Sequence, residues 1–139
     1  MNVGRIVKVA VAAGIVYNIL DYIALNYVLA STLASMASIM KPEPSMIANM
    51  INNFAAGLMV AVMYEKVHGS FGAGAAGGAT FGLFAGLLVN IPIWIGLNVY
   101  LQGLTYGIAW IFTIYGIAMY VAMGATAGAV ASMGGSKAA

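Results

Sequence analysis

One acidic side chain interrupts a long apolar stretch near the start of the chain. Asp21 follows Lys8 by 13 residues, which corresponds to a depth of about 20 Å in an α-helix, close to the middle of a bilayer. A carboxylate at that depth costs several kcal/mol unless protein groups or water surround it. We therefore expect Asp21 to face other helices and either to be neutral or to have strong hydrogen-bond donors around it.

The candidate donors are polar residues at compatible positions of the same and other apolar stretches. At 100° per residue, Tyr17 and Asn18 lie on the same helical face as Asp21. A second apolar stretch adds three amides, of which Asn52 and Asn53 are expected at a depth similar to that of Asp21. The predicted intramembrane polar cluster comprises Tyr17, Asn18, Asp21, Asn49, Asn52, Asn53 and Asn90.

Two interpretations of this cluster stay open from the sequence. In the first, Asp21 is a proton- or cation-linked site, because acids within membrane spans are commonly functional. In the second, Asp21 is a neutral acid that joins the first helix to the second through amide hydrogen bonds. Replacing Asp21 by Asn separates them, because Asn keeps the shape and the hydrogen bonding but cannot ionise.

Other reactive chemistry is sparse in this chain. The sequence has no cysteine, which excludes disulfides, thiolate metal sites and cysteine nucleophiles. The single histidine, His68, is expected in a surface loop beside Glu65, and a lone aspartate among amides provides no nucleophile and base pair. We therefore predict no catalytic residue, no metal site, no cofactor and no enzymatic activity.

The composition places these residues in a membrane protein. Of 139 residues, 63% are hydrophobic and 6% are charged, and the mean hydropathy is +1.00, whereas soluble domains carry about 25% charged residues. The few basic residues are scattered, so no phosphate-binding stripe can form and nucleic acid is not an expected partner. We therefore expect the lipid bilayer to surround this protein.

Four apolar stretches are long enough to cross a bilayer, which requires roughly 20 helical residues. They predict helices over residues 9–29, 46–64, 72–100 and 104–133, with a kink at Pro92 in the third. The predicted fold is an all-α integral membrane four-helix bundle with short loops, forming one domain over residues 1–139. Residues 31–40 either extend the first helix or lie along the membrane interface.

The basic residues predict how these helices are oriented. With four crossings, both termini and the second loop share one side, which carries Arg5, Lys8, Lys66 and Lys137, while the other side has only Lys41. The positive-inside rule therefore predicts that both termini are cytoplasmic.

Regularly spaced glycines predict close helix packing. In the third stretch glycine recurs at every fourth residue, and the fourth stretch has a shorter match. Such a glycine zipper lets helix backbones approach closely in lipid. We prefer packing within one bundle over a groove for another subunit. The predicted packing residues are Gly74, Gly78, Gly82, Gly86, Gly116, Gly124 and Gly128.

Three short segments resemble a bacterial protein family. Residues 16–22 (VYNILDY), 54–58 (FAAGL) and 64–71 (YEKVHGSF) are similar to those of small four-helix integral membrane proteins without an assigned activity, whose first helix carries Asn-x-x-Asp-Tyr. The resemblance implies the four-helix fold, the bacterial inner membrane as location, and the importance of Asn18 and Asp21. It implies no particular activity.

The leading functional hypothesis from the sequence is an accessory or structural subunit of a larger membrane complex. It follows from the short loops, the small-residue grooves and the lack of a catalytic constellation. The alternative is a small homo-oligomeric transporter or channel, linked to protons or cations through Asp21. The expected partners are accordingly other membrane subunits or further copies of this chain.

Overall fold

The protein is an all-α bundle of four long helices, which confirms the predicted fold class. The computed structural model describes residues 2–133, and no β-strand occurs among them. The helices are α1 (Val3–Ile23), α2 (Ala30–Ser35), α3 (Met46–Val67), α4 (Gly74–Asn90), α5 (Gly96–Tyr100) and α6 (Tyr106–Met133).

Among residues 2–133, four helical segments are long and apolar enough to cross a membrane. We call them the first span (Val3–Val28), the second span (Met46–Ser70), the third span (Gly74–Tyr100) and the fourth span (Tyr106–Met133). The first span consists of α1 and a π-helical turn over Ala24–Val28, and a similar turn over Ile91–Ile95 joins α4 to α5. Lys137, which contributes to the predicted orientation, lies outside the described residues.

The first two spans extend further than the sequence predicted. α1 begins at Val3 and not at residue 9, because the side chain of Asn2 accepts a hydrogen bond from the Arg5 amide and caps the helix. α3 continues to Val67, beyond the predicted end at residue 64. Arg5 and Glu65 therefore both lie inside helices.

An ion pair between these two residues joins the first span to the second. The Arg5 guanidinium donates from Nε to Oε2 of Glu65 at 2.6 Å and from its terminal nitrogen to Oε1 at 2.7 Å. The backbone amide of Asn2 also donates to Glu65 Oε1, at 2.9 Å. Two parallel hydrogen bonds between arginine and a carboxylate combine attraction with a defined geometry. We refer to the end of the bundle that contains this pair as the terminal end.

The spans are arranged in the lateral order second, first, fourth, third. The third and fourth pack along much of their length, and the first lies between the second and the fourth. The second and third spans barely touch, except near the terminal end, where the rings of Tyr64 and Phe81 are 5.4 Å apart. The second span consequently has only one extensive neighbour.

Buried apolar residues form two clusters, one at each end of the bundle. At the terminal end all four spans contribute to the core. At the opposite end the cluster involves the first, third and fourth spans but not the second. The terminal core includes Ile6, Val9, Ala13, Val60, Tyr64, Phe81, Met123 and Ala127, and the opposite core contains Leu29, Met36, Leu104, Ala109 and Phe112.

The segment after the first span neither continues it as one straight helix nor stays apart from the bundle. The helix is interrupted at Leu29, where φ is −101° and ψ is 3°, and the short α2 follows. Leu29 and Met36 are both buried in the opposite core. Burial of these two side chains therefore holds α2 against the ends of the first and fourth spans.

Glycines bring the third and fourth spans into backbone contact. A Cβ atom added at Gly78 would lie 2.8 Å from the backbone nitrogen of Gly128, and one added at Gly124 would lie 2.8 Å from Cα of Gly82. Gly86 similarly approaches Ile117. The glycine stripe of the third span thus faces the fourth span of the same chain. At its first residue, the backbone carbonyl of Gly74 lies against Gly128.

The helix is irregular at Pro92, where the sequence predicted a kink. α4 ends at Asn90, and Pro92 lies within the π-helical turn that follows. Proline has no amide hydrogen and clashes with the carbonyl one turn before it, so the regular helix cannot continue through this position. Trp94 of this turn stacks on Phe112 of the fourth span, with ring centroids 4.6 Å apart.

Candidate functional site: a buried carboxylate beside a lateral cleft

Asp21 is almost fully buried, with 5% of its surface exposed. It lies about 8 Å beyond the middle of the first span, toward the opposite end of the bundle, whereas the spacing from Lys8 predicted a position near the middle. Because the first span begins at Val3 and ends at Val28, Asp21 is about 27 Å from its start and about 10 Å from its end. Its contact with Asn49, three residues into the second span, agrees with this level.

Three neutral donors from two other spans surround the carboxylate. Asn49 donates from Nδ2 to Asp21 Oδ2 at 2.6 Å, and Asn53 donates to the same oxygen at 3.0 Å. The hydroxyl of Tyr115, on the fourth span, donates to Oδ1. Asp21 therefore connects three of the four spans through one side chain.

The orientation of the Asn18 and Asn53 amides follows from a chain of hydrogen bonds that begins at a backbone carbonyl. Asn18 donates from Nδ2 to the carbonyl of Gly14 at 2.8 Å, and a carbonyl can only accept. Oδ1 of Asn18 must then face Asn53, which donates to it at 3.3 Å. Because the nitrogen of Asn53 occupies this position, it is also the nitrogen that meets Asp21. Oδ2 of Asp21 is consequently an obligatory acceptor.

The two carboxylate oxygens differ in their capacity to hold a proton. Oδ2 faces N–H donors, so a proton on it would oppose them. Oδ1 faces a hydroxyl, which can donate or accept, so Asp21 protonated at Oδ1 could donate to Tyr115 after rotation of one O–H bond. The same set of residues therefore accommodates the ionised acid and the neutral acid without moving a helix.

The remaining members of the predicted polar cluster occupy different environments. Tyr17 is one turn before Asp21 and half-buried against the terminal core. Asn90 is buried but lies at another interface, where it donates to the carbonyl of Gly86 at 2.9 Å and packs against Gly116. Asn52 is exposed on the outer side of the second span. The structure thus gathers Asn18, Asn49 and Asn53 around Asp21, and it separates Asn52 and Asn90 from them.

Tyr115 is the participant that the sequence analysis missed. It is separated from Asp21 by 94 residues, and no spacing pattern relates the two. A usable signal was depth: Tyr115 is nine residues into the fourth span and Asp21 is seven residues from the end of the first. Because the first span ends and the fourth span begins at the opposite end of the bundle, these positions are at a similar level.

The first and second spans approach closely just before the site. A Cβ atom added at Gly57 would lie 2.8 Å from the backbone nitrogen of Gly14 and 2.9 Å from the carbonyl of Ala10. The aromatic ring of Phe54 covers Gly14. This contact holds the two helices near enough for the short side chains of Asn49 and Asn53 to reach Asp21.

A cleft of about 800 Å³ adjoins the site. It lies between the last part of the first span, the connection to the second span, and the beginning of the second span. Its polar end contains Asn18, Asp21 and Asn49, and apolar side chains form most of its wall. Ile19, Tyr22 and Ile23 of this wall are also exposed on the outside of the bundle. The cleft therefore opens sideways, toward the position of the lipid chains.

Comparisons with known proteins add no family and no relative. The chain matches no protein-family model, and searches of curated proteins and of solved structures find no match. The residues of the site offer one acid, three neutral donors and an apolar space.

Proposed function

We propose that this chain is a small integral membrane protein that serves as an accessory subunit of a larger membrane complex. The observation that carries this proposal is the incomplete packing of the second span. It has one extensive neighbour within the chain. Only 22% of its most apolar 18-residue stretch is buried, compared with 39% for the corresponding stretch of the fourth span. A surface of this kind is available to another membrane protein.

The exposed side of the second span also has the character of a helix contact. Ala48, Asn52 and Ala55 are exposed on one helical stripe. Small residues allow close approach of another helix, and asparagine can donate hydrogen bonds across such an interface. An amide left without a partner in hydrocarbon costs about 2–7 kcal/mol, so a polar group on a second protein would stabilise Asn52.

Purification in a mild detergent tests the proposal. We expect a distinct partner polypeptide in constant ratio to this chain, and we expect Asn52→Leu to reduce its recovery. Thr80→Val is a matched control, because it removes an exposed polar group from the third span. Recovery of the wild-type chain as a single species without another polypeptide contradicts the accessory role, and so does equal recovery from Asn52→Leu.

A specific observation favours a second candidate, a proton- or cation-linked transporter formed by this chain. Asp21 has donors that tolerate either protonation state, and it borders a cleft that opens to the side. In liposomes containing only this chain, the transporter proposal expects proton or solute flux that Asp21→Asn abolishes. Thr80→Val is the control and leaves flux unchanged. Absence of flux from the wild-type chain rejects this candidate while leaving the accessory role untouched.

A further inference from the structure

We infer that the lateral cleft is a binding site for a single-chain amphiphilic amine, whose ammonium group pairs with Asp21 and whose hydrocarbon chain lies along the apolar wall. This goes beyond both proposed functions, because binding requires neither a partner subunit nor transport. The inference is carried by three features of the cleft, namely the charge at its inner end, the character of its wall and its size.

Among residues 2–133, which the structure describes, no cationic side chain pairs with the carboxyl group of Asp21. The three hydrogen-bond partners of Asp21 are neutral side chains. Arg5 is paired with Glu65 at the terminal end, about 24 Å along the helix from Asp21. An opposite charge within about 4–6 Å stabilises the ionised form of a carboxyl group. An ammonium group in the cleft would supply that charge.

The charged residues beside the cleft do not repel such a ligand. The connection beside the cleft carries Lys41 and Glu43, one charge of each sign, and both are exposed. Their opposite charges largely cancel at a distance. The attraction at Asp21 is therefore the main electrostatic feature that a cation meets within the cleft.

The wall and the volume define the rest of the ligand. Ile19, Ile23, Leu25, Leu33 and Met50 present hydrocarbon to the cleft, and an alkyl chain lying along them would make many dispersion contacts. A volume of about 800 Å³ is within the range of roughly 300–1,000 Å³ that holds small molecules. The site therefore suits one alkyl chain and its amine in preference to a two-chain phospholipid.

The test uses the full-length protein in a non-ionic detergent, with dodecylamine as the probe and dodecanol as its neutral counterpart. Binding is measured by titration calorimetry against matched empty micelles. We expect dodecylamine to bind about 10- to 100-fold more tightly than dodecanol, because a hydrogen bond to a charged group contributes about 1.5–3 kcal/mol. Equal affinity for the amine and the alcohol would overturn the inference.

Two variants locate the bound amine. Asp21→Asn should remove the preference for the amine, whereas retention of that preference contradicts the pairing with Asp21. Ile23→Trp should fill the cleft and weaken binding at least 10-fold without altering Asp21. Its matched control is Val11→Trp, on an exposed position of the same helix that does not line the cleft. Equal binding by the two tryptophan variants contradicts the location.

A lipid competitor distinguishes the single-chain amine from a membrane lipid. In nanodiscs of phosphatidylcholine we expect the same dodecylamine affinity as in nanodiscs containing phosphatidylethanolamine. Displacement of the amine by phosphatidylethanolamine would assign the cleft to a two-chain lipid and overturn the proposal. Because these measurements use the isolated chain, their failure leaves the partner and flux experiments to be judged separately.

Discussion

At the scale of single residues, the carboxylate oxygens of Asp21 serve as acceptors for two amides and one hydroxyl. Asn49, Asn53 and Tyr115 each direct a donor toward the same carboxylate. Removing the acceptor leaves all three without their partner, whereas changing the acid to an amide retains one oxygen. The contribution of Asp21 to stability therefore depends on all three donors together.

Two substitutions at Asp21 separate its charge from its role as an acceptor. We expect Asp21→Leu to lower the free energy of unfolding by at least about 3 kcal/mol, because it leaves three donors unpaired and each costs about 1–3 kcal/mol. Asp21→Asn should cost less, since its oxygen can accept from the amides and its nitrogen can donate to the rotated hydroxyl of Tyr115. Thermal unfolding in detergent measures both, and equal stability of the two variants contradicts this account.

The hydroxyl of Tyr115 can be tested by removing one atom. Tyr115→Phe should reduce stability by about 0.5–3 kcal/mol, because it removes the hydrogen bond to Asp21. Tyr106→Phe is the control, since Tyr106 is on the same span and 62% exposed. A loss no greater than that of the control, in the same thermal measurement, would remove Tyr115 from the site.

How far this site was predictable depends on where each residue lies in the chain. Asn18 was accessible from helical periodicity, and Asn49 and Asn53 were accessible as amides in the next apolar stretch. The difference between Asn52 and Asn53 was not accessible, because adjacent residues on a helix point about 100° apart and only the packing of the second span determines which faces inward. Tyr115 depends on a tertiary contact between the first and fourth spans.

At the scale of the helices, small residues determine which pairs approach closely. The contact of the third and fourth spans involves glycines on both sides, and the first and second spans meet at Gly14 and Gly57. In lipid, such close backbone contact provides dispersion attraction that larger side chains would prevent. Glycines therefore mark the close contacts of two pairs of spans, the third with the fourth and the first with the second.

A pair of glycine substitutions tests this packing. Gly124→Ala should reduce stability by about 1–3 kcal/mol, because its methyl group would meet the backbone of Gly82. Gly96→Ala should be neutral or slightly stabilising, since no atom lies within 4 Å of its added Cβ and alanine favours helix more than glycine. If both variants unfold at the same temperature, the close contact does not stabilise the bundle.

The helix ends show why the apolar pattern alone gave incomplete boundaries. A charged residue normally indicates the end of a membrane helix, so Arg5 and Glu65 were expected outside the first two helices. Both lie inside, because each neutralises the other and their hydrogen bonds are satisfied. The pairing depends on residues 60 positions apart, which no local pattern reports.

At the scale of the whole molecule, the four spans imply a defined orientation in the membrane. Because the sequence contains no cysteine, single cysteines can be introduced without altering existing ones. We expect a membrane-impermeant thiol reagent to label Gln102→Cys in intact cells, and to label Gly69→Cys only after permeabilisation, as the predicted cytoplasmic termini require. The reverse pattern would invert the orientation, and labelling of both in intact cells would contradict four crossings.

The ion pair between Arg5 and Glu65 has a consequence for how the protein is made. It ties the first two spans together at one end, and the contacts of Asp21 with Asn49 and Asn53 tie them at the other. All of these residues precede the third span in the chain and are synthesised before it. The first and second spans can therefore pair before the third and fourth are added. The hydroxyl of Tyr115 then links the fourth span to this pair.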